Sequence, residues 1–591
     1  MGDLVAALKS TPAHTSESLA AALSAPISLD DVAEWMRFDE QNYRRNLVAR
    51  FPTFELRLLC FLPGQRTSLH GHDGSACAFR ILRGTSTEIR LRQPDRQWTP
   101  GTVVCEGGVE LVHQVTNLGD EPLVSLHAYA PPLPMDQPPA RYEGRQIVII
   151  GGGVSGASLA IHLLAGAPRE LKIAFVERRP WFGRGPAYGT TDPAMRLNVP
   201  ADRMSLFPDA PGDFVAWARG QGARVPDAAL LPRPLFGEYV EDRLATAIAG
   251  SKGKVWFHRS EAVAASAEGV RLADGAWVEA DAVVLATGNQ LPAAPSAFAP
   301  ELLRSNRVVG DPWTAGALAA IDPGEDVLLV GTGLTAVDVL LVLRNQSHRG
   351  RVVAVSRRGL LPRPHLAAGD PRRRALTVDP DELPRPHDVL ALSRWLRAKA
   401  RRLEAEGVGW QCLIDALRPH TAELWGALPH EERRRFMRRL RPFWEVARHR
   451  AAPDALATID AWRARGTLEI MTGRVLASAD GPEGIEVTLA PRDGATLRRR
   501  FDRVVLATGP DTDARRWPAP LFRQLLRDRL LQADPLGLGL VTDDLGRAVG
   551  PDGPTPWLYA MGNLRRPLLW ETTAVPEIVR QAVDLALALR A

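Results

Sequence analysis

An apolar, β-branched run that leads directly into a glycine pattern constrains this chain more than any other feature. Ile147–Ile150 is followed by Gly-x-Gly-x-x-Gly at Gly151, Gly153 and Gly156. This order predicts a buried parallel strand, a tight turn and the N-terminus of a helix whose backbone N–H groups can face a pyrophosphate. Residues 157–164 are apolar enough to form that helix. The glycine pattern alone is weak evidence, but in this context it predicts a dinucleotide-binding unit.

A second strand completes this unit. Lys172–Val176 is apolar and ends in Glu177. An acidic side chain about 20 residues after the last glycine can accept a hydrogen bond from a ribose hydroxyl. This unit begins only at Ile147. The residues before it are therefore expected to form a separate domain.

A second nucleotide unit lies further along the chain. The apolar segment 326–330 precedes Gly331 and Gly333, and the following strand, 351–355, ends in Ser-Arg-Arg instead of an acid. The second unit lacks the acidic residue that ends this strand in the first unit and has Arg357 there. An arginine at this position can bind the 2′-phosphate of NADPH, so the sequence favours NADPH over NADH. The alternative is that these arginines lie on the surface and bind nothing.

Further loops are expected near the first cofactor. Two apolar strands end in Gly288 and Gly509, which would bring both glycines to the crevice at the strands' carboxyl ends. Asn198 lies in a polar loop, and Gly562 follows a strand and precedes a helix that begins near Pro576. Each of these residues could equally belong to an ordinary loop.

One nucleotide unit inserted between the halves of another is the arrangement of two-dinucleotide flavoproteins, and residues 145–591 resemble that superfamily. The closer likeness is to FAD/NAD(P)-binding proteins with the segments at 183–189, 197–205, 558–563 and 570–578, and a more distant one is to N-hydroxylating, NADPH-dependent flavin monooxygenases. The resemblance implies FAD at the first unit and NADPH at the second. The cofactor-binding residues would be Gly151, Gly153, Gly156, Glu177, Asn198, Gly288, Gly331, Gly333, Arg357, Gly509 and Gly562.

The sequence before residue 140 predicts a different secondary structure, with short helices followed by β-strands. Residues 1–40 predict helices, with Ser28 and the Asp30–Asp31 pair as a cap. Short β segments separated by turns with Gly, Pro and Asp then predict a small antiparallel barrel or sandwich. The predicted strands are 54–62, 78–82, 86–91, 101–105 and 123–129.

Histidines are concentrated in this β region. His70 and His72 share one face if they lie on a strand, and His113 and His127 follow on or beside later strands. Three converging imidazoles suit a divalent transition metal with open positions for substrate and oxygen. The alternative for any single histidine is a hydrogen-bonded structural role.

Four motifs in this region resemble cysteine dioxygenase, a thiol dioxygenase with the cupin fold. They are the segments 42–48, 68–77, 112–117 and 125–132. The resemblance implies Fe(II) bound by His70, His72 and His113, and an outer pair formed by Ser125 and His127. It also implies Cys77 and Tyr129 at the crosslink positions, and Tyr43 and Arg45 at the substrate carboxylate. The thiol itself, cysteine or another small thiol carboxylate, stays open.

The composition limits the number of domains and the classes of function that the chain can have. The chain has 591 residues, a formal net charge of +5 and four cysteines without a Cys-x-x-Cys pair. These values predict about two to four domains, no disulfide framework and no dithiol chemistry. The arginine runs alternate with apolar residues, which favours solvated helix faces over a nucleic-acid site. With no signal sequence and no long apolar run, we expect a cytoplasmic protein that does not enter the membrane.

We therefore predict an all-β cupin barrel with short helices, followed by an α/β Rossmann-type flavoprotein with a helical insertion. The expected boundaries are 1–135, a proline-rich linker at 136–144, and 145–591, with the second nucleotide unit at about 325–385 and the insertion at about 386–465. The expected function is oxidation of a small thiol by O₂ to a sulfinate, joined to an NADPH-dependent flavin step. That step could be oxidation of the sulfinate to a sulfonate or oxygenation of an amine. The alternative is a thiol or redox sensor whose cupin does not turn over.

Overall fold

The computed structural model describes most of the chain. The described residues are 1–70, 75–91, 93–106, 113–133, 144–168, 170–226, 229–314, 316–367, 369–384 and 388–590. His72 and most of the predicted linker lie outside these ranges.

The N-terminal region, residues 1–133, begins with short helices and continues as β structure. Its elements are α1 (Gly2–Lys9), α2 (Ser16–Leu23), a 3₁₀ turn (Asp30–Trp35), β1 (Arg44–Arg50), β2 (Glu55–Phe61), β3 (Ala76–Arg83), β4 (Ser86–Arg90), β5 (Arg96–Trp98), β6 (Val103–Glu106), β7 (His113–Thr116) and β8 (Leu123–Ala130). The strands predicted at 54–62, 78–82, 86–91, 101–105 and 123–129 are β2, β3, β4, β6 and β8. Ser28 N–H donates to Asp31 Oδ2 over 2.8 Å at the start of the 3₁₀ turn, but the N-cap residue is Leu29, which makes no side-chain capping bond.

Two antiparallel sheets form this region. One has the order β1-β2-β8-β3-β6 and the other the order β5-β4-β7. Alternate residues of β8 pack on opposite faces: Val124, Leu126 and Ala128 join the helices α1 and α2 in one core. The other face carries Ser125, His127 and Tyr129, so the polar residues are directed away from that core.

The C-terminal region, residues 144–590, opens with the predicted strand, turn and helix. Its elements up to residue 304 are β9 (Gln146–Ile150), α3 (Val154–Leu164), β10 (Lys172–Val176), α4 (Gly185–Tyr188), α5 (Asp213–Gly220), α6 (Arg233–Gly250), β11 (Lys254–His258), β12 (Ala262–Ser266), β13 (Gly269–Leu272), β14 (Trp277–Glu279), β15 (Ala282–Leu285) and α7 (Pro300–Arg304). Those from 308 to 464 are β16 (Val308–Val309), β17 (Val327–Val330), α8 (Leu334–Asn345), β18 (Val352–Ser356), α9 (Val389–Ala405), α10 (Trp410–Leu417), α11 (Thr421–Ala427), α12 (His430–Arg439), α13 (Arg441–Arg448) and α14 (Pro453–Ala464).

The chain then returns to both sheets. The last elements are β19 (Leu468–Gly481), β20 (Gly484–Pro491), β21 (Leu497–Phe501), β22 (Arg503–Leu506), α15 (Pro520–Arg527), β23 (Arg547–Gly550), β24 (Gly553–Ala560), α16 (Arg566–Leu569) and α17 (Val575–Arg590). The first sheet has the order β11-β10-β9-β15-β24-β23, and the second has the order β16-β22-β17-β18-β19-β20-β21. Each glycine-rich turn therefore follows a central parallel strand.

The N-terminal region is hydrogen-bonded to an edge of the first sheet. Leu69 N–H donates to Val255 of β11 over 2.8 Å. The Gln114 side chain accepts from Phe257 N–H over 2.9 Å and donates to Phe257 O over 2.8 Å. Arg259 adds an ion pair with Asp95 at 3.0 Å. These bonds cover the backbone of β11, which would otherwise be an open edge.

No helix in the described part of the chain is long and apolar enough to cross a bilayer.

Candidate functional site

The candidate metal site is built on two paired histidines. His70 and His113 form an antiparallel bridge, with backbone N–H···O bonds of 3.0 and 3.1 Å and ring centroids 4.8 Å apart. His70 Nδ1 lies 2.9 Å from Ser68 O, and His113 Nδ1 lies 2.6 Å from Glu88 Oε1. Both acceptors are oxygens, so Nδ1 carries the proton in each ring and Nε2 is the nitrogen with a lone pair for a metal.

Glu88 is the residue that orients His113. It is fully buried, forms an ion pair with Arg90 at 2.9 Å and accepts from Trp98 Nε1 over 3.3 Å. Burial alone would raise the pKa of Glu88, but the hydrogen bonds from His113 and Arg90 and the positive charge of Arg90 outweigh burial and lower the pKa. Glu88 is therefore a carboxylate at neutral pH.

The third predicted ligand, His72, lies outside the described residues. Within the ranges that the structure describes, no group of three or more His, Cys, Asp or Glu side chains is arranged to hold a metal. The described part of the site therefore offers two ligands, His70 and His113. Both are neutral imidazoles with oriented Nδ1–H groups, and such ligands suit a divalent transition metal.

A hydrogen-bonded chain lies on the inner face of β8. Ser125 Oγ is 2.9 Å from His127 Nε2, and His127 Nδ1 is 3.3 Å from the Tyr129 hydroxyl. Cys77 of β3 is directly opposite Tyr129 in the strand register, which brings the two Cβ atoms within about 5.5 Å. All of these side chains are buried. The structure thus brings the predicted outer pair and both predicted crosslink positions together.

Tyr43 and Arg45 form the remaining predicted pair of this region. Arg45 Nε donates to the Tyr43 hydroxyl over 2.9 Å, and the Tyr43 ring stacks on Phe61 with centroids 4.7 Å apart. Both residues are half-buried. An ordered guanidinium beside a phenol can bind a carboxylate with charge-assisted hydrogen bonds.

The first glycine turn has the shape that a pyrophosphate requires. Gly151 has φ +111°, and a Cβ there would lie 2.3 Å from Ala286 O. A Cβ on Gly156 would lie 2.1 Å from Gly151 O, so the helix can approach the turn only without a side chain. Gly153 is the N-cap of α3. Glu177 accepts from Gly152 N–H over 2.9 Å, which places its carboxylate at the turn.

Two strand ends meet beside this turn. Gly562 has φ +66°, donates its N–H to Gln581 Oε1 over 2.9 Å and faces Ser155 of α3. Asn563 donates to Asn289 Oδ1 over 2.6 Å, which links the end of β24 to the residue after Gly288. Gly288 and Gly562 are therefore brought together, as predicted for a cofactor crevice.

The second glycine turn repeats the first. Gly331 has φ +122°, and a Cβ there would lie 2.2 Å from Ala507 O, two residues before Gly509. A Cβ on Gly333 would meet no atom within 4 Å, so the turn is open on the side that a pyrophosphate would occupy. Arg357 is exposed just after β18, where an adenosine 2′-phosphate would lie.

Asn198 lines a cavity of 670 Å³ at some distance in sequence from the glycine turns. His365 Nε2 donates to Asn198 O over 3.0 Å. Burial and the nearby Arg450 cation lower the pKa of His365 to about 4, so the ring is neutral at pH 7. The other walls come from the segments 366–367 and 373–378, from α10 and the residues after it, and from the segment around α13 and α14.

Sequence reasoning missed Glu88 and the arginines of this cavity. Glu88 gave no distinct signal, because the predicted strand at 86–91 also contains Ser86, Thr87 and Arg90. Arg448 gave no such signal because it is one of many arginines in this part of the sequence, and Gln411 gave none because it is a single amide in a mostly apolar helix.

The comparisons with known proteins find a family model for each of the two regions. Residues 17–137 match the family model described as cysteine dioxygenase type I, and residues 148–290 match the model described as FAD-NAD(P)-binding. Cysteine dioxygenase type 1 of Danio rerio is 34% identical over 116 residues, which cover 17% of this chain and 58% of that protein. The Homo sapiens protein is 33% identical over 118 residues, with 17% and 59% covered. The chain thus spans less than two thirds of the length of these relatives.

Two solved structures similar to the C-terminal part of the chain are ornithine hydroxylases. The reduced form of an ornithine hydroxylase of Pseudomonas aeruginosa has 16% identity and a TM-score of 0.50, covering 76% of this chain and 98% of that one. The ornithine N-hydroxylase of Kutzneria sp. 744 has 16% identity and a TM-score of 0.52, covering 76% and 99%. At this identity the likeness establishes the fold, and it confirms the predicted flavoprotein architecture. The family models confirm the two predicted resemblances.

Proposed function

From a chain that joins a cysteine dioxygenase-type domain to an FAD-NAD(P)-binding domain, we propose a bifunctional oxidoreductase. Residues 1–135 would convert a small thiol carboxylate, cysteine being the first candidate, and O₂ to a sulfinic acid that contains both oxygen atoms. Residues 145–591, after a linker at 136–144, would use FAD and NADPH in a second step on the same or a related metabolite. The observation that carries the proposal is the His70–His113 pair with Nδ1 of both rings bonded to protein oxygens.

The N-terminal site would bind Fe(II) through His70, His72 and His113. Bound Fe(II) would supply neighbouring open positions where a thiolate and O₂ can meet, and a neutral ligand set would keep the positive charge that lowers the thiol pKa. Glu88 keeps His113 in the tautomer with the proton on Nδ1. A closed barrel interior would exclude bulk water from the reacting sulfur.

The other polar residues of the N-terminal site would orient the thiol substrate. The Arg45 guanidinium, held by Tyr43, would bind the substrate carboxylate and so fix where the sulfur lies. The Tyr129 hydroxyl, positioned by His127 and Ser125, would donate a hydrogen bond to the reacting groups. Cys77, opposite Tyr129, would fix the phenol ring further if the predicted crosslink forms.

The C-terminal sites would bind the two dinucleotides. Bound FAD would accept hydride from NADPH. The N-terminus of α3, with Gly151, Gly153 and Gly156, would face the FAD pyrophosphate, and the Glu177 carboxylate would accept from a ribose hydroxyl. Gly331, Gly333 and Arg357 would hold NADPH, with Arg357 at the 2′-phosphate. Asn198, Gly288, Gly509 and Gly562 would line the crevice.

The first test is oxygen uptake with cysteine. Full-length protein loaded with Fe(II) should consume O₂ on addition of cysteine and form the sulfinate, identified by mass spectrometry. The His113→Ala variant should lose this activity, while His348→Ala, in the second nucleotide unit, should retain it. Equal thiol-dependent uptake by wild type and His113→Ala would contradict the iron site.

The second test concerns the flavin. The purified protein should be yellow, and anaerobic NADPH should bleach it faster than NADH. Arg357→Ala should reduce the preference for NADPH by lowering affinity for the 2′-phosphate, and Arg351→Ala, before the same strand, is the matched control. A colourless protein, or equal rates with both nucleotides, would contradict this half of the proposal.

A further inference from the structure

The 670 Å³ cavity beside Asn198 is strongly basic. Its lining residues include seven arginines and two aspartates. Arg450 forms an ion pair with Asp415, Arg418 one with Glu577, and Arg448 one with Glu571 at 3.2 Å. The remaining arginines leave an excess of positive charge, and a concave surface concentrates this field and attracts anions.

Two buried side chains on the cavity wall retain unused hydrogen-bonding capacity. The side chain of Arg448 is only 7% exposed. Its Nε and Nη2 atoms are buried without a hydrogen-bond partner among the described residues, and Nη2 lies 3.2 Å from Glu571 Oε2 and 3.9 Å from Glu577 Oε1. Gln411 Oε1 is also buried and accepts no hydrogen bond from any described residue. Unpaired buried polar atoms cost free energy unless a ligand or water satisfies them.

The cavity adjoins the segments that we assign to FAD. One wall is Asn198 and its neighbours, in the loop predicted to contact the cofactor. Arg448, which also lines the cavity, contacts Glu571, and the next residue, Thr572, donates to Asn563 Oδ1 over 3.2 Å. Asn563 follows Gly562 at the end of β24. Ligand binding at Arg448 would therefore take place next to the flavin crevice.

We propose that this cavity is the substrate site of the flavin-dependent step and binds a small amino acid that carries an additional oxyanion, either a carboxylate or a sulfinate. Nε and Nη2 form one edge of a guanidinium, and this edge matches two oxygens of a carboxylate or sulfinate in a bidentate contact. An amide oxygen such as Gln411 Oε1 accepts from the ammonium group of an amino acid. The volume is in the range of small-molecule sites. This inference rests on the proposed function, because it assigns the FAD-dependent step to this region.

Calorimetric titration of the full-length protein tests the proposal, with 3-sulfino-L-alanine and L-aspartate as probes. The titration uses the Arg45→Met background, so that the N-terminal carboxylate site does not contribute. We expect saturable binding of at least one probe, and a rise in Kd of at least tenfold when Arg448→Met is added. Tighter binding of the sulfinate would identify the sulfinate as the ligand group, and tighter binding of aspartate would identify the carboxylate.

Matched variants separate ligand binding from folding. Arg529→Met removes an exposed arginine paired with Asp552 and should change the Kd less than twofold. Because Arg448→Met leaves the buried Glu571 without its cation, the double change Arg448→Met with Glu571→Gln removes both charges and should show the same loss. Thermal melting would verify that each variant is folded.

The result that would overturn the proposal is specific. If neither probe binds in the Arg45→Met background, or if folded variants of Arg448 bind as tightly as their parent, the cavity holds only water. This failure differs from failure of the proposed function, because calorimetry needs no turnover. A colourless protein would contradict the FAD assignment whatever the titration shows, and a yellow, NADPH-reducible protein that binds no probe would contradict only the cavity proposal.

Discussion

Replacing Glu88 by glutamine tests how the N-terminal site is held. The substitution keeps the size of the side chain and removes the charge that faces His113 and Arg90. Breaking a buried ion pair leaves Arg90, which is 8% exposed, without its counter-charge and costs about 3–5 kcal/mol. Loss of the carboxylate behind a ligating histidine lowers metal affinity about 10- to 100-fold. We therefore expect Glu88→Gln to weaken both folding and Fe(II) binding.

The two effects have separate measurements. Chemical denaturation of the metal-depleted protein measures the free energy of unfolding. Competition for Fe(II) with a chelator of known affinity measures the iron affinity. Glu88→Gln with Arg90→Met removes both members of the ion pair, so it should recover part of the stability. It should not recover iron affinity, because the carboxylate that orients His113 is still missing. Glu55→Gln, in a buried ion pair with Arg57 elsewhere in the region, is the control for a lost buried carboxylate.

One result would refute the reasoning. If Glu88→Gln loses stability but binds Fe(II) as tightly as wild type and keeps thiol-dependent oxygen uptake, Glu88 stabilises the fold and does not orient a metal ligand. The same conclusion would follow if Glu55→Gln lowered iron affinity equally.

The remaining predictions concern the rest of the chain. Tyr129→Phe should retain Fe(II) but lower the rate of thiol oxidation at least tenfold, measured as oxygen uptake at saturating cysteine; an unchanged rate would remove the hydroxyl from the chemistry. Gly156→Ala should cost about 1–3 kcal/mol of unfolding free energy, since its Cβ would meet backbone at 2.1 Å, whereas Gly333→Ala should leave stability unchanged and weaken only NADPH binding. Burial and the Arg66 cation hold the pKa of His258 well below its usual range, so the unfolded chain binds a proton near pH 6.5 that the native state does not. Stability contributed by His258 is thus complete above about pH 6.5 and is lost as the pH falls below it; the melting temperature should fall less steeply between pH 7 and 5 in His258→Gln.

Local patterns in the sequence predicted the nucleotide units well. The β9 strand begins one residue before the predicted run, α3 begins three residues before the predicted helix, and β10 has the predicted bounds. The reason is that strand, turn and helix are neighbours in sequence, and the clash that excludes a side chain at Gly156 is with Gly151. Predictions of this kind need no knowledge of distant contacts.

Contacts between distant residues could not be predicted in this way. Glu88 and His113 meet because β4 and β7 pair, and nothing in either segment alone identifies its partner. Arg448 and Glu571 are more than a hundred residues apart and belong to different elements. The predicted strands did not include β1, β5 or β7, since the first is half-exposed and the other two are only three and four residues long.

The contact between the two regions joins the candidate metal site to the first nucleotide unit. Gln114, adjacent to His113, holds both the N–H and the C=O of Phe257 in β11. The β11 strand pairs with β10, which ends at the residue before Glu177. The histidine pair and the first nucleotide turn are thus joined by hydrogen-bonded strands and do not depend on the linker for their relative position. Gln114 therefore has a role that neither site requires by itself, because its two hydrogen bonds fix the edge of β11 against the N-terminal region.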